Sequence, residues 1–143
     1  MGRINWGKVF LGGLLAGLVI NVGEFLFHAV LFKTQVEEAM RALGRDPAAA
    51  NAGSAMTIWI LMGFLTGIAA VWLYAAIRPR YGPGAKTAAI AGVGVWFLYS
   101  FLSSLAMMNL GIFPRNMLMT GLVWSLVELI VATVAGAWAY KET

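Results

Sequence analysis

The sequence predicts an all-α integral membrane protein, a four-helix bundle with both termini on the cytoplasmic side and a short amphipathic helix in the first outer loop. Three observations lead to this fold class. Of the 143 residues, 61% are hydrophobic and 11% are charged, whereas soluble proteins carry roughly 25% charged residues. The apolar residues are concentrated in four long runs, and basic residues flank these runs unequally. A chain of this length forms one domain, so residues 1–143 are expected to form a single transmembrane domain.

The four apolar runs cover residues 9–32, 54–77, 87–110 and 117–140. Each run has 24 residues, equal to about 36 Å of helix, which crosses a hydrocarbon core of ~30 Å with room for tilt. The first run is too long for the core of a signal peptide, and no small-residue cleavage site follows it. We therefore expect it to remain as a membrane helix beside the other three.

Basic residues outside the runs predict the orientation. Six fall on one side of the predicted membrane, and they are Arg3, Lys8, Arg78, Arg80, Lys86 and Lys141. Four fall on the other side, and they are Lys33, Arg41, Arg45 and Arg115. The positive-inside rule makes the first side cytoplasmic, which predicts a multi-pass membrane protein with both termini on that side. An aromatic belt is predicted at the inner interface from Trp6, Trp72, Tyr74, Trp138 and Tyr140.

The first outer loop contains a helical pattern of its own. Thr34 and Glu37 have the spacing of a capping box, and Gly44 provides a stop. Apolar residues recur between them at helical spacing, namely Val36, Met40 and Leu43. We expect residues 35–43 to form a short amphipathic helix on the outer surface. A disordered loop with accidental spacing is the alternative.

Small residues form a stripe along each predicted helix. Lipid provides no hydrophobic drive between helices, so membrane helices associate through small residues and buried polar groups. The predicted stripes should therefore face the interior of the bundle. The glycines expected to pack helix against helix are Gly13, Gly17, Gly63, Gly67, Gly92 and Gly121.

Polar residues at similar depth predict a polar layer inside the bundle, displaced toward the outer side. Glu128 is at the middle of the fourth run, and Glu24 lies a few residues outward from the middle of the first. His28 follows one helical turn further out. The other residues expected to line a ligand or proton site in this layer are Asn21, Tyr99 and Ser103.

Two interpretations of Glu24 and Glu128 are open. An ionised carboxylate is costly in hydrocarbon and often marks a pathway. In the functional interpretation the two carboxyls share a proton at a proton-coupled or cation-binding site, and His28 relays protons to the outer side. In the structural interpretation both carboxyls are protonated and hydrogen-bond between helices. Replacing either residue by Gln distinguishes these interpretations.

His28 has a further interpretation as a haem ligand. Neutral imidazole binds haem iron, so a dimer could bring two copies of His28 to one porphyrin, or combine His28 with Glu24 around a metal ion. Its structural alternative is a hydrogen-bonded histidine between helices. With no cysteine and one histidine, thiolate sites and multi-histidine sites within one chain are excluded.

The composition also makes some classes of function less expected than others. One His and two Glu in the runs leave few catalytic options, so an enzyme is the least favoured class. The basic residues form no patch with interleaved aromatics, so nucleic acid is not an expected partner. The expected surroundings are the lipid bilayer. A small transporter or channel, acting as a homo-oligomer, and a non-catalytic accessory subunit of a larger membrane complex both stay open.

Three segments carry a resemblance to other proteins. They are Asn-Val-Gly-Glu-Phe-Leu-Phe-His at 21–28, Trp-Leu-Tyr-Ala-Ala-Ile-Arg-Pro-Arg at 72–80, and Gly-Leu-Val-Trp-Ser-Leu-Val-Glu at 121–128. The chain resembles, along most of its length, an uncharacterised group of small bacterial four-helix integral membrane proteins. The resemblance implies four helices and a bacterial inner membrane, and it carries over no functional residues.

Overall fold

The computed structural model describes residues 3–50 and 52–140, and every regular element within these ranges is helical. Four long helices are each apolar enough to cross a membrane, which confirms an all-helical fold with four long apolar helices. We refer to them in chain order as the first to fourth helices, and they are Trp6–Leu31, Gly53–Tyr81, Ala85–Leu110 and Arg115–Ala139. Two short helices, Lys33–Ala42 and Pro47–Ala50, lie between the first and the second. Lys141, counted above for orientation, lies outside the described residues.

All four long helices begin before the predicted runs, and the second also ends beyond its run. The first helix begins at Trp6 because the Oδ1 atom of Asn5 accepts a hydrogen bond from the Lys8 N–H at 3.1 Å, as an N-cap residue does. The second helix continues to Tyr81 and ends at Gly82, whose φ is 84°. A positive φ has little steric cost for glycine, so the chain turns there.

The short helix Lys33–Ala42 exists, but the capping box predicted at its start does not. Thr34 lies inside the helix, and no side chain caps its first turn. The first helix runs almost directly into the short helix, since the Phe32 N–H donates to the Phe27 carbonyl at 2.9 Å and the Phe32 carbonyl accepts from the Val36 N–H at 3.0 Å. Backbone groups therefore satisfy the donors that a threonine cap would have taken.

The long helices pack as a closed ring in the order first, second, third and fourth, with a smaller contact between the second and fourth across the bundle. The buried core is made chiefly of small and aliphatic side chains, including Val9, Ala16, Ile20, Val71, Ala75, Ala91, Leu129 and Ala132. The third helix packs well only along its first half, because Leu102–Leu110 contains no buried residue. The bundle is therefore tight at one end and looser at the other.

Glycines set the closest approach of the first and second helices. A Cβ atom on Gly67 would overlap the backbone nitrogen of Gly17. A Cβ on Gly13 would lie 2.6 Å from the Ile68 Cα, and one on Gly17 would lie 2.7 Å from the Phe64 Cα. Because the obstructing atoms are backbone, the helices would have to separate to admit a side chain.

The remaining glycines of the predicted stripes differ in how closely neighbouring atoms approach them. Gly63 lies against the Asn21 side chain, and Gly92 lies against the Leu129 carbonyl of the fourth helix. Gly121 has room, since a Cβ there would come no closer than 3.8 Å, to the Phe27 ring. A contact that the sequence analysis did not single out joins the first and fourth helices at Gly12 and Gly136, where a Cβ on either would overlap the other's backbone.

The predicted aromatic belt is wrong for its two tyrosines. Tyr74 and Tyr140 are both only 3% exposed, with ring centroids 5.9 Å apart. Their hydroxyl oxygens accept hydrogen bonds from the backbone N–H groups of Gly84 at 3.2 Å and Asn5 at 3.3 Å. These bonds hold the rings inside the bundle, where they tie the loop before the third helix and the start of the first helix to the core.

We predict that Gly67→Ala lowers stability by about 1–3 kcal/mol, because the added methyl group forces a close-packed helix pair apart. Gly121→Ala is the matched control, since Gly121 also lies within a long helix but has space for a methyl group. The control should be neutral or stabilising because alanine favours helix by up to ~1 kcal/mol over glycine. Thermal unfolding in detergent measures both, and equal effects would contradict the packing described.

Candidate functional site

The Glu128 carboxyl of the fourth helix lies inside the bundle and packs against the first helix at Gly23. The side chain of Glu128 is buried, with 7% of the residue exposed. A Cβ atom on Gly23 would overlap the Glu128 Oε1 and would lie 2.9 Å from the carboxyl carbon. The missing side chain at Gly23 therefore forms the space that the carboxyl occupies.

Glu24 brings a second carboxyl to the same place. The Glu24 and Glu128 side chains are within hydrogen-bonding reach of each other, and such a bond requires one of the two carboxyls to carry a proton. The Oε2 atom of Glu24 also lies 3.0 Å from the Nε2 atom of His28, which is one turn further along the first helix. The Glu24 and His28 side chains are 46% and 50% exposed. A continuous row of ionisable groups thus runs from the buried Glu128 to the half-exposed His28.

Two buried polar atoms at this site lack hydrogen bonds. They are the Oε1 atom of Glu128 and the Nε1 atom of Trp124, and neither has a partner in hydrogen-bonding geometry within residues 3–50 and 52–140. Trp124 precedes Glu128 by one helical turn, so both side chains leave the same face of the fourth helix. Buried polar atoms are nearly always paired in folded proteins, and these two side chains are close enough to interact, so the Trp124 indole N–H is the natural donor to the Glu128 carboxyl.

Tyr99 adds a group from the third helix. It interacts electrostatically with both Glu24 and Glu128. The residue is exposed, because the third helix packs loosely beyond this point. Three helices therefore contribute ionisable groups to one site, and the site opens toward the loosely packed side.

Two residues of the site, His28 and Tyr99, each lie in a short π-helical segment. Leu26–Leu31 contains His28, and Phe97–Phe101 contains Tyr99. The wider π-helical turn changes the direction of the side chains that follow, and such turns are frequent at functional sites. The sequence contains no signal that predicts them, because proline is absent from both segments.

Phe27 lies beside the site, between the first and fourth helices. Its ring centroid lies 5.0 Å from that of His28 and 5.7 Å from that of Trp124. Phe27 is buried although both of its chain neighbours are exposed. The ring thus provides an apolar contact between His28 of the first helix and Trp124 of the fourth.

The structure brings together Glu24, His28, Tyr99 and Glu128, and it places the other two predicted site residues differently. The Asn21 Nδ2 donates to the Gly17 carbonyl at 2.9 Å and to the Ile60 carbonyl at 3.2 Å. Asn21 therefore joins the first helix to the second. The Ser103 hydroxyl donates to the Tyr99 carbonyl at 2.6 Å within its own helix.

Sequence reasoning missed Gly23, Trp124 and Phe27. Trp124 could have been found, since its spacing of four from Glu128 places both on one helix face. Gly23 offered a weaker signal, a glycine next to a carboxylate deep in an apolar run. Phe27 offered none, because its contacts depend on the π-helical turn.

The site offers few ligands for a metal. Within residues 3–50 and 52–140, no three His, Cys, Asp or Glu side chains are grouped so that they could hold a metal ion. The Nε2 atom of His28, a nitrogen that could bind haem iron, faces Glu24. Haem ligation through this atom would require the contact with Glu24 to break.

Comparison with known proteins was made against families, curated proteins and solved structures. The chain matches no protein-family model, no curated protein and no solved structure. The chemistry of the site is therefore inferred from the geometry of its own residues.

We predict that Gly23→Ala lowers stability by about 1 kcal/mol, because the new methyl group occupies the position of the Glu128 carboxyl and forces this flexible side chain to turn away. In the double variant Gly23→Ala with Glu128→Ala, the methyl group enters space that the shortened side chain leaves. The double-mutant cycle, measured by denaturant unfolding, should give a coupling energy of about 1 kcal/mol or more. Additive single effects would contradict the placement of this carboxyl.

Proposed function

We propose that the chain is a multi-pass protein of a bacterial inner membrane, with both termini cytoplasmic, that binds a small ligand or ion at the site formed by Glu24, His28 and Glu128. Binding is coupled to protons and serves transport across the membrane. The observation that carries this proposal is the buried Glu128 carboxyl, which lies beside a second carboxyl, that of Glu24.

The chemistry follows from the closeness of the two carboxyls. Two negative charges at hydrogen-bonding distance repel each other strongly where little water is present. One proton shared between Glu24 and Glu128 removes most of that repulsion, and the pair then titrates as a unit. A cation or a hydrogen-bonding ligand that enters the site can replace this proton. Ligand binding and proton release would then be linked.

His28 supplies the connection to the outer side. Imidazole accepts and donates protons near neutral pH, and the Nε2 atom of His28 is already in contact with Glu24. Since His28 is half exposed, a proton leaving Glu128 can pass to Glu24 and then to His28. The proposed route therefore leads outward from the buried end of the row of groups.

We expect Glu128→Gln and Glu24→Gln each to slow proton flux by about tenfold or more, since positioned proton-transfer groups contribute roughly 10²-fold or more. The measurement is the collapse of an imposed pH gradient in proteoliposomes, followed with an entrapped pH-sensitive dye. Glu37→Gln is the control, because it removes the same charge from the short helix between the first and second helices.

The structural interpretation of the carboxyls predicts a different result. Glutamine can still hydrogen-bond between helices, so both variants would then keep wild-type flux and unfold at the same temperature as wild type. That outcome would remove the proton-coupled function from this site.

An accessory subunit of a larger membrane complex is the second candidate function. The second half of the third helix supports this accessory role. Leu102–Leu110 has no buried residue and exposes large apolar side chains such as Leu105 and Leu110. A partner helix could cover this half of the third helix.

Native mass spectrometry of the protein, extracted gently from its own membrane, separates the two functions. The ligand-binding proposal predicts a homo-oligomer that carries a small additional mass. Stoichiometric association with larger subunits would instead favour the accessory role.

A further inference from the structure

Two adjoining cavities lie at the outer end of the first and fourth helices. The first has a volume of about 390 Å³ and lies between the short helix Lys33–Ala42 and the start of the fourth helix, and we call it the head cavity. The second has a volume of about 420 Å³ and follows the side of the fourth helix, and we call it the tail groove. Phe32 and Thr120 line both, so these two residues form the boundary at which the cavity and the groove meet.

The head cavity carries one charge, and that charge is negative. Glu38 lines it, together with the amide side chains of Gln35 and Asn116 and no basic residue. Glu38 makes no ion pair within the described ranges, whereas the neighbouring Glu37 pairs with Arg41 at 3.2 Å. The cavity therefore has a carboxylate available for a cationic ligand.

Aromatic rings form the apolar wall of the head cavity. Phe27 and Phe32 both line it, with ring centroids 4.6 Å apart and ring planes inclined at 34°. An organic cation gains from contact with the face of an aromatic ring, by roughly 0.5–1 kcal/mol at exposed sites. The carboxylate and the rings thus favour the same kind of headgroup, an ammonium with apolar substituents.

The tail groove has a different lining. It is almost entirely apolar, with Leu31, Val123 and Val127 along its length and Trp124 among its walls. No charged residue lines it. A hydrocarbon chain that leaves the head cavity past Phe32 would enter this groove directly.

We propose that the head cavity and the tail groove form one binding site for a single-chain cationic amphiphile. The ammonium group lies at Glu38 against the two phenylalanine rings, and the alkyl chain lies along Val123 and Val127. This site is separate from the Glu24–Glu128 pair, since neither of those carboxyls lines either cavity.

The test uses decyltrimethylammonium as the probe, titrated into the purified full chain in a neutral detergent and followed by native mass spectrometry. We expect a saturable complex with one probe per chain. Decanesulfonate has an alkyl chain of the same length and the opposite charge, and it should bind at least about tenfold more weakly.

Matched variants test the two halves of the site. Glu38→Gln should weaken binding of the probe about fivefold, as expected for loss of one partly exposed charge pair, and Glu37→Gln should change it less than about twofold. Val127→Trp fills the tail groove and should weaken binding about tenfold or more. Val131→Trp is its control, because Val131 is 52% exposed on the same face, against 58% for Val127, and lies outside the groove.

Several results would overturn the proposal. Equal binding of decanesulfonate would mean that the site selects an alkyl chain and not a cation. Equal affinities of Glu38→Gln and Glu37→Gln, or of Val127→Trp and Val131→Trp, would place the probe elsewhere. Glu24→Gln should leave the affinity unchanged, so failure of the proton-coupled function and failure of this amphiphile site are distinguishable.

Discussion

A carboxyl group buried among apolar helices is the constraint on which the more open half of this bundle depends. The Glu128 carboxyl can reach the first helix because Gly23 has no side chain, and it meets Glu24 there. A carboxyl taken out of water is stable only if it is neutral or paired, so the groups around it are not interchangeable. Glu24, His28 and Tyr99 extend the polar environment toward the exposed side.

The two ends of the bundle follow different packing rules. At the end where the first helix begins and the fourth helix ends, glycine and alanine allow backbones to touch, and the hydroxyls of Tyr74 and Tyr140 bind backbone N–H groups. Toward the opposite end, π-helical turns interrupt the first and third helices, and the third helix loses its close packing. A closely packed half thus adjoins a more open half, and the ionisable groups and both cavities lie in the open half.

Some aromatic residues near the carboxyl pair also line the two cavities, but neither Glu24 nor Glu128 lines them. Phe27 lines the head cavity and contacts His28, and Trp124 lines the tail groove one turn from Glu128. Phe27 and Trp124 therefore belong both to the walls of the proposed amphiphile site and to the surroundings of the proposed proton site. Acidic groups serve both sites, and no lysine or arginine lines either cavity, so both sites favour positively charged species.

The helical class and the four long helices could be predicted from the sequence alone, because apolar length and helical rise are local properties of the chain. The depth of Glu24 and Glu128 within their runs was predictable in the same way. Which neighbour each side chain meets depends on the packing of the helices in three dimensions. Asn21 and Glu24 differ by three residues, which turns them about 60° apart around the helix, so one faces the second helix and the other faces Glu128. The space at Gly23 and the π-helical turns likewise depend on how helices rotate and approach one another, which a linear pattern does not encode.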